Sequence, residues 1–354
     1  MISYEVVDLV TSKASNPKAS LLVIYTGGTF GMAYNESGSL APFNFNHVID
    51  KIPELKSLDL KITVISFSQP VDSSNIHIHH WKAIGNFIKE NYDLYDGFVV
   101  LHGTDTMAYS ASALSFMLQG LSKPIILTGA QIPIGSARSD ARDNFLTAIE
   151  IASAKENGKS IIPEVCIYFN HQLLRGNRAQ KVRSSHFAAF ESENYPNLAV
   201  SGVFIEYNRL SILEPSTKLN YNDHFDANVA LFKIFPNIQE YVLESFFNMP
   251  QLKGVVMESY GSGNTPNYPW FLNNLKQATD RGIVILNVSQ CNGGKVIHGR
   301  YETSKKLNDS GVLSGGDMTT EAAITKLMFL LGQDKNIDWV REKIVIPSCG
   351  EMSG

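Results

Sequence analysis

Nearly continuous apolar runs alternate with longer segments of helical periodicity along the first 210 residues or so. The runs are Leu21–Tyr25, Ile62–Phe67, Phe98–Leu101 and Pro124–Leu127. Runs this short, β-rich and little interrupted predict strands covered on both faces, which favours a parallel sheet. Between them, His80–Tyr92 sets Trp81, Ile84, Phe87 and Ile88 at helical spacing. Thr106–Gln119 does the same with Met107, Ala111, Leu114 and Leu118, and Asp140–Ala154 with Phe145, Ile149 and Ala152. Stripes of this kind predict helices that pack one face on the sheet. The alternation implies right-handed βαβ units.

Residues 213–228 break the pattern: they are polar and turn-rich and read as a linker. Beyond it, Val229–Phe235, Gly254–Met257 and Gly282–Val288 read as strands. Pro269–Thr279 and Thr320–Leu331 read as helices, the second with Thr319 or Thr320 as N-cap. The expected class is α/β. A larger N-terminal domain, residues 1–212, carries a mainly parallel sheet flanked by helices, and a smaller C-terminal α/β domain spans 229–354. Neither shows repeats or low-complexity segments.

Composition narrows the function. With 354 residues, 44% hydrophobic and 18% charged, the chain can bury a large core without a disulfide or metal staple. Thirty Lys and Arg against 34 Asp and Glu give a net charge of −4, and no dense basic run occurs. That argues against nucleic-acid partners and against a basic membrane face. The apolar runs are too short to span a bilayer, and the N-terminus lacks a basic-then-apolar leader. Cys166, Cys291 and Cys349 are an odd, widely spaced set, which suggests reduced thiols in the cytoplasm.

Candidate chemistry gathers where strands end. In an open α/β sheet, ligands bind beyond the carboxyl ends of the strands. Three runs end there in glycine beside threonine: Thr26-Gly27-Gly28-Thr29, His102-Gly103-Thr104-Asp105 and Thr128-Gly129-Ala130-Gln131. The first matches neither a P-loop nor a dinucleotide fingerprint. Taken singly, it is also a plain tight turn, and the second is also an ordinary helix start capped by Thr104 or Asp105. His77, His79 and His80 cluster, but their spacing suits no metal site, so turn and helix-terminal contacts are expected and no metal or other cofactor.

Ile24–Met32 and Leu101–Met107 resemble the two signature segments of the bacterial-type L-asparaginases. Asp72-Ser73-Ser74, Thr128–Pro133, Arg138-Ser139-Asp140, Arg175–Lys181 and Ser259–Asn264 follow in the family's order. The resemblance runs from residue 21 to about 330, and its Tyr-Thr-Gly-Gly-Thr form is similar to the cytoplasmic type I branch. It implies hydrolysis of L-asparagine to L-aspartate and ammonia, with Thr29 as nucleophile. It further implies that Lys181 relays a proton with Thr104 and that Asp105 holds Lys181 and the substrate ammonium.

By the same resemblance, Asp72, Ser73 and Ser74 form a substrate-binding turn, and the backbone around Ala130 receives the amide oxygen. Asn264 reaches the active site of a neighbouring subunit, which implies a homodimer or homotetramer. The family's tyrosine after the first motif falls near Ser39, with Tyr34 as a substitute, and Asn35–Ser39 is expected to act as a lid. Glu258 stands where an allosteric asparagine site has an arginine, so activation by asparagine is not expected, and Cys291 is expected to be buried and inert. Two other readings are a tRNA-dependent amidotransferase subunit and a non-catalytic amino-acid-binding protein. The first carries an extra N-terminal domain, whereas only about 20 residues precede the first predicted strand here.

Overall fold

The computed structural model describes residues 2–10, 17–34, 40–42, 52–298 and 302–354. The chain divides into two compact units, Met1–Asn222 and Asp223–Gly354. The segment expected as a linker is split by that division. Asn220–Tyr221 pairs with Leu118–Gln119 in the first unit. Asp226, in the second unit, pairs with Lys253 at 2.6 Å.

The first unit is built on a nine-stranded sheet. Its strands are β1 (Tyr4–Val10), β2 (Ala19–Gly27), β3 (Leu60–Val71), β4 (Gly97–Leu101), β5 (Ile125–Thr128), β6 (Val165–Phe169), β7 (Gln172–Arg175), β8 (Ala199–Ser201) and β9 (Ile205–Tyr207). Their order across the sheet is β1-β3-β2-β4-β5-β6-β7-β8-β9. The five strands β3, β2, β4, β5 and β6 pair in parallel, four of them at the predicted apolar runs and the fifth, β6, in addition to them. Leu21 to Tyr25 are at most 1% exposed, which is what continuous apolar sequence achieves between two covered faces.

Both edges are antiparallel. β1 pairs with β3, and β7, β8 and β9 close the other side. The first strand therefore begins at Tyr4, well before the first continuous apolar run. As an edge strand it leaves Tyr4 and Val6 exposed, so it carries no uninterrupted apolar signal.

Helices α1 (Ile78–Glu90), α2 (Met107–Met117) and α3 (Ala141–Ser153) supply the crossovers. α1 buries Trp81, Ile84, Phe87 and Ile88 as its stripe predicted. α2 departs from its predicted single stripe, because every residue except Tyr109 is buried. It packs on α1, β6 and the Gly176–Arg178 turn together, and its small Ala and Ser side chains permit that approach. A Cβ at Gly176 would lie 2.9 Å from that of Ala111.

The second unit has a four-stranded parallel sheet of β10 (Val229–Lys233), β11 (Gly254–Ser259), β12 (Val284–Ser289) and β13 (Leu313–Ser314). Helices α4 (Glu240–Phe247), α5 (Pro269–Asp280), α6 (Glu302–Asp309), α7 (Thr320–Leu331) and α8 (Ile337–Ile344) belong to this unit. Thr319 caps α7, its hydroxyl accepting the Ala322 N–H at 3.1 Å. No helix among the described residues is long and apolar enough to cross a membrane.

Candidate active site

The carboxyl ends of β2, β3 and β4 are pressed together by glycine. Gly27 ends β2 and Gly28 follows it, with φ of +131° and +82°, values that a side chain would strain. A Cβ at Gly28 would fall 2.5 Å from the Cα of Gly103, and one at Gly103 would fall 2.6 Å from the Ser73 hydroxyl. Thr26 reinforces the contact by donating its hydroxyl to the Leu101 carbonyl at 3.0 Å. Thr106 donates to the Ser73 carbonyl at 2.7 Å. Three turns separated in sequence thus touch, and each presents a hydroxyl residue beside its contact: Thr29, Thr104 and Ser73.

Thr29 opens the 3-10 turn Thr29–Gly31. Among the described residues, its hydroxyl has no hydrogen-bond partner. Ser73 is buried. Asp72 holds this turn directly, its carboxylate accepting the Ser74 N–H at 2.9 Å. Tyr34 ends the short strand Met32–Tyr34, whereas the expected lid, Asn35–Ser39, lies outside the described residues.

Lys181 reaches this corner from the short hairpin Gln180–Lys181 and Phe190–Glu191. Its ammonium donates to the Thr104 hydroxyl at 2.8 Å and to the Asp105 carboxylate at 2.6 Å. The lysine side chain is 15% exposed and that of Asp105 is 64% exposed. An amine, a hydroxyl and a solvent-open carboxylate therefore share one corner, a set able to move or park a proton.

The turn after β5 is shaped from behind. Asp140 accepts the backbone N–H of Gln131 at 3.1 and 3.0 Å and that of Ile132 at 3.0 Å. Asn144 donates to the Gly129 carbonyl at 3.1 Å. Ala130 is held between these anchors and is buried. Asp140 stands at the N-cap of α3, yet its side chain caps nothing there and reaches back nine residues instead. Neither Asp140 nor Gln131 carries a signal of this role in sequence, since no periodicity links residues at that spacing.

His102 is equally silent in sequence. It is buried, with Nδ1 2.7 Å from the Gly103 carbonyl and Nε2 2.8 Å from the Ser110 hydroxyl. Trp81 donates its indole N–H to that hydroxyl at 2.9 Å. Only an Nδ1–H can face a carbonyl, and where the ring is neutral Ser110 donates to Nε2. Burial lowers the His102 pKa from 6.5 to about 4, with His80 adding to the effect and the Gly103 contact opposing it. The neutral ring thereby fixes the carbonyl that immediately precedes Thr104.

The remaining expected residues have their own surroundings. Asn264 belongs to the second unit, where its backbone closes a tight turn with Tyr260 through bonds of 3.0 and 2.8 Å. Cys291, expected to be buried, is exposed. It lies two residues past the end of β12, and its N–H donates to Ser289 at 3.0 Å. Glu258 is engaged within its own unit, accepting from Thr320 at 2.7 Å and pairing with Lys233 at 3.1 Å. His77 is the N-cap of α1 and its N–H donates to Nδ1 of His80 at 3.0 Å, while His79 lies 3.3 Å from the His77 ring nitrogen. No group of three or more potential metal ligands occurs among the described residues.

Comparison with known proteins identifies the family. The family model described as Asparaginase, N-terminal, matches residues 20–212, and the Glutaminase/Asparaginase C-terminal domain matches residues 228–343. L-asparaginase 1 of Escherichia coli K12 is 39% identical over 339 residues, which cover 95% of this chain and 98% of that protein. A glutamyl-tRNA(Gln) amidotransferase subunit of Pyrococcus abyssi is more distant, at 30% identity over 98% of this chain and 79% of its own length. The crystal structure of L-asparaginase I from Vibrio cholerae superposes with a TM-score of 0.85 at 37% identity, covering 95% of this chain and 99% of that one. Two domain matches in series and a near full-length relative establish that this chain belongs to the asparaginase family.

Proposed function

We propose that this protein is an L-asparaginase that hydrolyses L-asparagine to L-aspartate and ammonia through an ester on Thr29. One observation carries the reading: Lys181 spans Thr104 and Asp105 at 2.8 and 2.6 Å, beside the glycine contact that brings the Thr29 and Thr104 turns together.

The chemistry runs in two steps. The Thr29 hydroxyl oxygen attacks the side-chain amide carbon, and its proton leaves as that bond forms. Negative charge gathers on the amide oxygen, where backbone N–H groups around Ala130 stabilise it by about 3 kcal/mol each if they act as measured oxyanion-hole donors do. Collapse breaks the C–N bond as the amide nitrogen takes up that proton, so ammonia leaves and an aspartyl ester remains on Thr29. Splitting the reaction in this way replaces one high barrier with two lower ones. A water molecule aligned by Thr104 then attacks the ester carbon; the Thr104–Lys181 pair takes up the water proton as it releases another to the departing Thr29 oxygen, and ends with the protons it began with. Asp105 holds Lys181 and the substrate ammonium, while Ser73 and Ser74, on a turn that Asp72 braces, receive the α-carboxylate.

Asn264 from a second copy completes the site in this reading, so the working unit is a homodimer or homotetramer. The resemblance to the type I branch supports that assignment. It also supports a cytoplasmic setting, in keeping with three free thiols. The test is ammonia release by the purified protein from L-asparagine, L-glutamine and D-asparagine. L-Asparagine is expected to be turned over fastest, with hyperbolic kinetics. One methylene in a pocket is worth about 1–3 kcal/mol, so L-glutamine should be slower by roughly 10- to 200-fold. A folded protein that releases no ammonia from L-asparagine would refute the proposal.

A further inference from the structure

We propose that Gln131 is a positioning residue that aims the Thr104 hydroxyl and ties it to the hairpin carrying Lys181. The inference rests on the function proposed above and adds a residue to its machinery.

The orientation of the Gln131 amide follows from its neighbours. One end faces the carbonyls of Ser184 and His186, at 3.2 and 2.9 Å. Carbonyls only accept, so that end is the NH₂ group. The other end, Oε1, is therefore an acceptor, and it lies 3.2 Å from the Thr104 oxygen. Thr104 must donate its proton to Gln131. Its oxygen meanwhile accepts from Lys181 at 2.8 Å. The threonine proton is thus parked on the amide, pointing away from the lysine, and the lysine meets a lone pair. Without Gln131 that hydroxyl is free to rotate.

The same side chain joins three pieces of the chain. Its backbone N–H is clamped by the Asp140 carboxylate, so its base is fixed. Its amide nitrogen grips residues 184 and 186, which lie in the hairpin between Lys181 and Phe190. That hairpin is closed by the Val182 N–H donating to the Ala189 carbonyl at 2.8 Å. One amide therefore sets the spacing between the Thr104 turn and the strand that delivers Lys181. A side chain of the same length without polar atoms would free both.

The experiment compares wild type, Thr29→Ala, Gln131→Met and Gln131→Glu in steady-state kinetics across pH, alongside crystal structures of wild type and Gln131→Met. Gln131→Met should lower kcat by up to about 100-fold, the cost of a small misplacement of a reacting group. KM should stay unchanged, because the interaction matters only beyond the bound state. Gln131→Glu as a carboxylate opposes the two carbonyls. Protonated, it again accepts from Thr104 and donates to one carbonyl. Its activity relative to wild type should therefore rise as the pH falls, which a purely structural role would not produce. Wild-type kcat in Gln131→Met, or a flat pH ratio in Gln131→Glu, would overturn the inference while leaving the asparaginase reading intact. A wild type without ammonia release would sink that reading instead. The crystal structures then decide the positioning role: an unchanged Lys181–Thr104 contact in Gln131→Met overturns it, and a displaced one upholds it.

Discussion

Two lysine–carboxylate pairs in this protein have the same separation and, in the proposed mechanism, opposite uses. Lys181 meets Asp105 at 2.6 Å in the first unit, and Lys326 meets Glu351 at 2.6 Å in the second. The second pair is sealed, with side chains 1% and 0% exposed. Its remaining valences are filled within the fold. Lys326 donates to the carbonyls of Ile344 and Ile346 at 2.9 and 2.7 Å. Glu351 accepts the N–H groups of Ser348 and Cys349. Such a pair fastens the C-terminal segment to α7 and offers nothing to a substrate. The first pair spends one lysine proton on a hydroxyl and leaves its carboxylate 64% exposed. Distance alone does not tell a reactive pair from a structural one; what each partner has left over does.

The largest effect expected is on chemistry. Lys181→Met should lower kcat by about 10²- to 10⁴-fold, the range for a lost acid–base group, while leaving the urea midpoint near that of wild type. Lys326→Met should do the reverse. Stripping one partner from a buried pair costs about 3–5 kcal/mol, so its urea midpoint should fall sharply while the activity of the folded fraction persists. Adding Glu351→Met to that variant should recover part of the loss, because no charge then remains buried alone. A normal kcat in Lys181→Met, or an unchanged urea midpoint in Lys326→Met, would break the comparison.

A smaller effect comes from His102, next to the reactive corner. Its pKa is 6.5 in an unfolded chain and about 4 here. The unfolded state therefore binds the proton first, and stability rises with pH across this window. His102 contributes fully above pH 6.5, and roughly 3 kcal/mol is lost as the pH falls to about 4. Urea titrations at pH 7, 5.5 and 4 on wild type and His102→Gln should show a flatter pH dependence in the variant. Smallest of all, Arg183 and Glu191 form an exposed pair on the Lys181 hairpin at 2.5 Å. Arg183→Gln should change stability by no more than about 1 kcal/mol, measured by thermal unfolding.

Much of the scaffold was legible because its strands are covered on both faces. Leu21–Tyr25 and Phe98–Leu101 carry that burial in their composition, and Thr319 announces α7 by its capping hydroxyl. The margins of the sheet were not legible. The edge strands Tyr4–Val10 and Ile205–Tyr207 and the short inner strand Ala199–Ser201 face solvent in part, and their pairing depends on partners elsewhere in the chain. α2 reads as a one-faced helix because sequence shows only its large residues, whereas its small ones are buried as well. At the site, the glycine-threonine turns stood out, and the family resemblance supplied Lys181, which alone reads as a surface lysine. Asp140 and Gln131 fell within segments that match the family, but nothing in the sequence gave either one a role. Their roles arise from contacts across a turn and a hairpin, and an aspartate just before a helix looks like a cap. Cys291 was misjudged because a cysteine two residues past a buried strand already sits on the exposed turn.

The account depends most on Thr29 carrying the acyl group. Mixing the protein with L-asparagine, quenching in acid within the first turnovers and mapping peptides by mass spectrometry tests this directly. The predicted result is an aspartyl adduct on the peptide containing Thr29, at the Thr29 oxygen, and its absence together with loss of ammonia release in Thr29→Ala. An adduct on Thr104, or undiminished turnover in Thr29→Ala, would contradict it.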